Sequence, residues 1–157
     1  MNDTRFSAAV HMLVMVAESS VPLSSERIAN SVGTNATYIR KLAASLRRAG
    51  IVESRKGAAG FRLVKRPADL TLLSIYRAVC ETEEVAVFDL HRNANDECIV
   101  GRHIGPVLGG MFAGISAAAA RELRGRTLAD CIDGLADEIE RAGESDELAA
   151  LRRDGLA

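Results

Sequence analysis

The chain has 157 residues, 48% of them apolar, no Trp, and a formal net charge of −1. Such a length holds one domain of about seventy residues with a helical remainder, its core built from Leu, Ile, Val and Ala. Three cysteines, an odd number with no close pairing, exclude a secreted disulfide framework. The near-neutral total conceals a polar molecule: residues 1–66 carry eleven Lys/Arg against four Asp/Glu, and residues 67–157 carry nine against seventeen. That asymmetry points to a polyanion at the basic end.

The first predicted element is an amphipathic helix, with Phe6, Val10, Leu13, Val14 and Ala17 on one face. The stretch superficially resembles a signal peptide. However, Asp3 precedes it, His11 interrupts it and no small-x-small cleavage site follows, so the expected location is cytoplasmic. A second helix opens at Ser24-Ser25, hydroxyls suited to capping, carries Ile28, Ala29 and Val32 inward and stops at Gly33. A third starts from Thr34-Asn35 and runs to Gly50, with Ile39, Leu42, Ala43 and Leu46 at helical spacing. Thr37, Tyr38, Arg40, Lys41, Ser45 and Arg48 then lie on or beside its opposite face, where a recognition helix needs hydrogen-bonding and cationic groups. Two strand-like runs, IVES and FRLV, enclose RKGAAG, a turn flanked by Arg55, Lys56, Arg62 and Lys65 that can track a phosphate backbone. Helix, turn, helix and basic wing are the plan of a winged helix-turn-helix DNA reader.

Pro67 marks the boundary between a DNA-binding domain at 1–66 and a helical dimerisation and sensing region at 67–157. Thr71 caps a helix with Leu72, Ile75, Tyr76 and Val79 inward, and the polar loop HRNANDEC follows at 91–98. A long helical segment runs from Ile99 to Gly125. In it Ile104, Leu108, Met111, Ile115 and Ala118 form a seam like that of a coiled coil. Gly101, Gly105 and Gly109 recur every four residues and would admit a close partner helix; Pro106 either opens the helix or kinks it. The apolar stretch Val107–Ala120 is shorter than the roughly twenty residues of a membrane span, and no membrane is expected. Thr127 caps a further helix with Leu128, Cys131, Ile132, Leu135 and Ile139 inward, and the charged tail from Gly143 reads as frayed. The fold class is therefore mainly α with a small β-hairpin wing: a winged helix-turn-helix plus a long dimerisation helix. A homodimer is expected, its interface made by Ile104, Leu108, Met111 and Ile115. A two-fold dimer would present two recognition helices to an inverted-repeat operator in double-stranded DNA.

TYIRKL in the third helix, AGIVESRKG at the wing, LTLLSIYRAV after it, and a cysteine loop before the long helix resemble the Rrf2 family of bacterial winged-helix regulators. The resemblance spans residues 5 to about 140. It implies a homodimeric transcriptional regulator, here expected to repress, whose recognition helix enters the major groove and whose wing reaches the minor groove. Residue by residue it points to Thr34, Asn35, Thr37, Tyr38, Arg40 and Lys41 on the helix and to Arg55, Lys56 and Arg62 on the wing. Ser25 joins them as a DNA-facing hydroxyl, and Arg47 and Arg48 as phosphate contacts. Two features depart from the family pattern. The wing is GAAGF where a turn ending in GGY is common, and the loop holds one cysteine, Cys98, where cluster-binding members carry three. One thiolate cannot hold an iron–sulfur cluster, so no cofactor is expected. The resemblance is instead to a single-cysteine branch that includes thiol-based sensors.

Chemistry bears on Cys98 independently. It lies at or next to a helix N-terminus with Arg102 one turn onward, both favouring the thiolate, while Asp96 and Glu97 oppose it. Against redox sensing stands a loop cysteine that merely packs on the long helix. Cys80 and Cys131 occupy helical positions near apolar neighbours and read as small hydrophobes; His11 reads as a satisfied histidine near the core. His91 and His103 flank Cys98 without a zinc-site spacing, and no metal is expected. No phosphate-binding glycine motif, nucleophile elbow or set-apart carboxylate pair points to an enzyme. An iron–sulfur or small-molecule-responsive regulator remains an alternative. So does a winged helix that binds only protein, although the latter has no need of so basic a first half.

Overall fold

Five consecutive buried residues, Met12 to Val16, make α1 (Arg5–Glu18) the helix on which the others pack. The computed structural model describes residues 4–54 and 60–155. In chain order α1 is followed by α2 (Ser25–Val32), α3 (Ala36–Arg48), β1 (Val52–Glu53), β2 (Arg62–Leu63) and α4 (Leu72–Cys80). The long α5 (Ile99–Gly125), then α6 (Leu128–Ala142) and α7 (Ser145–Asp154), complete the chain. Helices α2, α3, α4 and α6 and strand β2 all contact α1. Met12, Leu13, Ile28, Ile39, Leu46 and Ile75 are fully buried in the shared core.

Capping chemistry explains where most helices begin. Ser24 accepts from the Arg27 amide, Asn35 from Tyr38, Thr71 from Ser74 and Thr127 from Asp130. Gly33, in the left-handed region at φ 77°, ends α2 where the sequence places its stop. The wing is a two-stranded antiparallel ribbon with Val52 opposite Leu63 and Glu53 opposite Arg62. The tip residues Arg55 and Lys56, both expected DNA contacts, lie outside the described residues.

Several expectations need correction. A short 3-10 turn over Pro67–Asp69 precedes α4, with Arg66 and Asp69 paired across it at 2.8 Å. Leu73, with Ile75 and Val79, is the deeply buried side of α4; Leu72 and Tyr76 are half-buried, the latter meeting Phe6 edge-on at 5.6 Å. The long helix begins at Ile99 and continues through Pro106, and at 27 residues it is long and apolar enough by length and composition to cross a membrane. These are the bounds that the sequence assigns to the segment. On α6 only Leu128 is fully inside, joined to Leu70 by a 2.8 Å backbone hydrogen bond, and Leu135 is exposed. The tail is not frayed: α7 docks, with Ser20 N donating to Arg152 O at 3.0 Å and Arg152 pairing with Glu18 at 2.6 Å.

One glycine fixes the wing to this frame. Gly60 has φ 111°, and a Cβ there would lie 2.6 Å from Pro22 Cβ and 2.9 Å from Leu23 N. The next residue, Phe61, donates its amide to Leu23 O at 3.1 Å, so the close approach lets the second strand lean on the α1–α2 connection. Gly60→Ala is expected to lower stability by about 2 kcal/mol, through backbone strain and steric clash together, in a urea titration followed by circular dichroism. Stability equal to that of the parent would contradict this account of the wing's anchorage.

Candidate nucleic-acid interface and thiol site

Helix α3 turns Ile39, Leu42, Ala43 and Leu46 into the core, which leaves Thr37, Arg40, Lys41 and Arg47 exposed along one side. Tyr38 and Thr34 are half-buried, and Tyr38 packs against the core. Ser45, expected on the outer face, is buried instead. Its hydroxyl donates to the Glu81 carboxylate at 3.3 Å and accepts from Arg48 at 3.0 Å. Arg48 also pairs with Glu81, which ties the end of α3 to the end of α4. Asn35 spends its side-chain oxygen on the cap, accepting from Tyr38 N at 2.9 Å.

Arg40 forms an ion pair with Glu26 of α2. Ser25 is buried and gives its hydroxyl to the same carboxylate at 3.1 Å. Glu26 is held below the usual carboxylate range by its own backbone amide first, then by Ser25 and Arg40. Arg47 reaches Ser54 Oγ at 3.2 Å, and Arg62 stands exposed on the second strand. Arg40, Lys41 and Arg47 are thus exposed on α3 and Arg62 on the wing, whose first strand contacts α3, with Arg40 lightly restrained. The engagement of Arg48 by Glu81, and the restraint of Arg40 by Glu26, had no sequence signal, since each pair joins separate elements.

Cys98 is exposed at the N-cap of α5. The amides of Gly101 and then Val100 face its sulfur and hold the thiol below its ordinary pKa, although neither closes into a cap hydrogen bond. Arg102, expected to favour the thiolate, gives its Nε to the Asp96 carbonyl at 2.9 Å. A Cβ at Gly101 would run into the Asn95 carbonyl, so this glycine accommodates its own loop rather than a partner helix. Gly105 has open space around it.

No residue of α5 is buried. Ile104 and Leu108 are half-buried, and Met111 and Ile115 are 60% and 44% exposed. Ile99, Val100 and Val107 extend the uncovered apolar surface, as does Phe88, which leans on Phe112 with ring centroids 5.3 Å apart. Cys80 and Cys131 sit half-buried on α4 and α6, away from Cys98 in the sequence. Among the described residues no three His, Cys, Asp or Glu side chains gather to hold a metal. His11 is exposed, with Nε2 3.0 Å from Ser31 Oγ.

The Rrf2 family, described as an iron-dependent transcriptional regulator, matches residues 2–134. A Bacillus subtilis relative with the provisional name HTH-type transcriptional regulator YwnA is 38% identical over 135 residues, 86% of this chain and 99% of the relative. Among solved structures, T. potens IscR superposes with TM-score 0.63 at 25% identity, covering 86% of this chain and 88% of that one. CymR, the global cysteine regulator of B. subtilis, superposes with TM-score 0.64 at 21% identity, covering 85% and 96%; that likeness is one of fold.

The lowered thiol pKa has a direct consequence for reactivity, because only the thiolate is alkylated. Iodoacetamide labelling of Cys98, followed by peptide mass spectrometry, should persist to lower pH than labelling of a free cysteine peptide. A labelling midpoint at or above that of the peptide would show that the α5 amides do not act on the sulfur.

Proposed function

The chain belongs to the Rrf2 family of transcriptional regulators, and we propose that it works as a homodimeric, cytoplasmic, DNA-binding repressor with Cys98 as its input. The observation that carries the reading is the exposed side of α3, with Thr37, Arg40, Lys41 and Arg47, set beside the basic wing. Arg40 and Thr37 suit base edges in a major groove; Arg47, Lys56 and Arg62 suit phosphates. Ser25, Thr34, Asn35 and Tyr38 support that face from beneath or at its edge, and Arg55 belongs with the wing. Arg48, tied to Glu81, acts mainly within the molecule.

Dimer formation is supported by the bare apolar side of α5. Patches of this kind on soluble proteins mark partner surfaces. A second copy suits it better than lipid, because Arg102 and His103 interrupt the segment and α4 packs along it. In the proposed dimer Ile104, Leu108, Met111 and Ile115 meet their counterparts about a two-fold axis. Cys98 at the mouth of that helix is then placed so that oxidation or modification of its thiol changes how the two helices pack. That change would alter the separation of the reading heads. The donor set favours a cluster-free regulator over an iron–sulfur one, although the family's description names iron.

Footprinting should show protection of an inverted repeat whose half-site centres lie about one helical turn, or a multiple, apart. A monomer on sizing chromatography, or no protection at low salt, contradicts the proposal. Lys56→Ala should weaken binding to operator and random DNA alike and lower the salt slope by about one. Arg40→Ala should erode the discrimination between them, and equal losses on every sequence would dismiss Arg40 as a base reader. Cys98→Ser should retain operator binding under diamide while the parent loses it. An identical response in the two proteins removes Cys98 as the input.

A further inference from the structure

A cavity of about 830 Å³ opens between α1, α6 and α7, with Ser31 of α2 at its edge. No residue of α3, the described wing or α5 lines it, so it is separate from both surfaces assigned above. Its walls are apolar: Val10 and Met15 of α1, Leu135 and Ile139 of α6, Leu148 and Leu151 of α7. The volume falls within the range of single-ligand pockets, roughly 300–1,000 Å³. The roof is the helix the sequence had marked as a loose tail, and the family match ends before it, at residue 134.

The charged side chains of the lining are chiefly acidic. Glu18 and Glu147 face the cavity, His11 stands at its edge, and neither Lys nor Arg contributes. Glu18 is already met by Arg152, whereas Glu147 is exposed and has no ion pair among the described residues. An apolar chamber with an unpaired carboxylate at its rim disfavours anions and favours a cation with a hydrophobic body.

We propose that this cavity is a binding site for a hydrophobic organic cation, its body between α1 and α6 and its positive group at Glu147. The roof is latched from two sides. Arg152 pairs with Glu18, and the Gly155 carbonyl accepts from Arg27 of α2 at 2.6 Å. Ser20 adds a hydroxyl bond to Arg153 O at 2.8 Å. A molecule beneath α7 therefore bears on the helix that supports α3. The lining comes from α1, α6 and α7, with Leu72 of α4 and Ser31 of α2, and the cleft opens to solvent; an apolar floor with one unpaired carboxylate at its edge suits a small cation that lies along it.

The test uses the full chain and two cationic probes, berberine followed by its fluorescence and tetraphenylphosphonium as its competitor, with anionic anilinonaphthalene sulfonate as the contrast. Saturable binding of one berberine per chain, displaced by tetraphenylphosphonium, is expected. Leu135→Trp, which fills the mouth from an exposed position, should weaken binding about tenfold. Glu147→Gln should weaken the cation about threefold, the scale of one exposed ion pair, and leave the anion unaffected. No saturable cation binding, equal binding of the anion, or indifference to Leu135→Trp would each overturn the proposal. So would a change of oligomeric state in Leu135→Trp, since it would mark the groove as a protein contact. None of these readouts involves DNA, so failure here is distinct from failure of operator binding.

Discussion

The burial of α1 is the constraint on which the rest depends. Met12 and Leu13 are fully enclosed, and each such side chain is worth about 1.5–3 kcal/mol over its exposed state. Because α2, α3, α4 and α6 all lean on this helix, its register sets theirs. Helix α3 can then carry cations along its outer side without losing its place. Ile39 and Leu46 are fully buried in the same core and anchor the inner side. A helix so charged would have little reason to hold one orientation on its own; here the core decides which face is presented.

The cations of α3 are held without being locked. Glu26 restrains Arg40 and Glu81 restrains Arg48, and all four side chains are more than half exposed. Exposed pairs of this kind contribute about 0–1 kcal/mol and are screened by salt. A phosphate or base can compete for such an arginine at little cost. Until it does, the guanidinium is already ordered, which reduces the entropy lost on contact. Arg48 differs because Ser45 and Glu81 close a small network around it, which makes it a joint between helices more than a free hand.

Local chemistry was legible wherever a signal was complete within a few residues. Ser24, Asn35, Thr71 and Thr127 each cap the helix that the sequence assigns them, and Gly33 ends α2. The helix over Ile99–Gly125 was legible from spacing alone. What escaped was set by contacts between distant segments. Ser45 has the polarity of a surface residue, but Glu81, 36 positions on, gives its hydroxyl an acceptor and permits its burial. The tail from Gly143 looks solvated because its charges dominate its composition. Leu148 is nonetheless buried, Arg152 finds Glu18 on α1, and the Arg152 and Arg153 carbonyls accept from Ser20. Gly101 looks like part of a small-residue stripe until the folded loop puts the Asn95 carbonyl against it.

Helices α5 and α7 meet opposite fates for one physical reason. Helix α5 is apolar and makes its main contact in the chain with α4, so its remaining apolar surface is bare. Helix α7 is charged but has complementary partners within reach, and it docks. Apolar surface without a local partner seeks one in a second chain, whereas charge with a local partner stays home. The proposed dimer and the α7 roof are therefore consequences of the same accounting. Both reach α3 through supporting helices, α5 by way of α4 and the Glu81–Arg48 link, and α7 by way of Arg27 on α2. A regulator built this way has two separate supports under one reading head, and a shift in either would be felt where Arg40 and Lys41 stand.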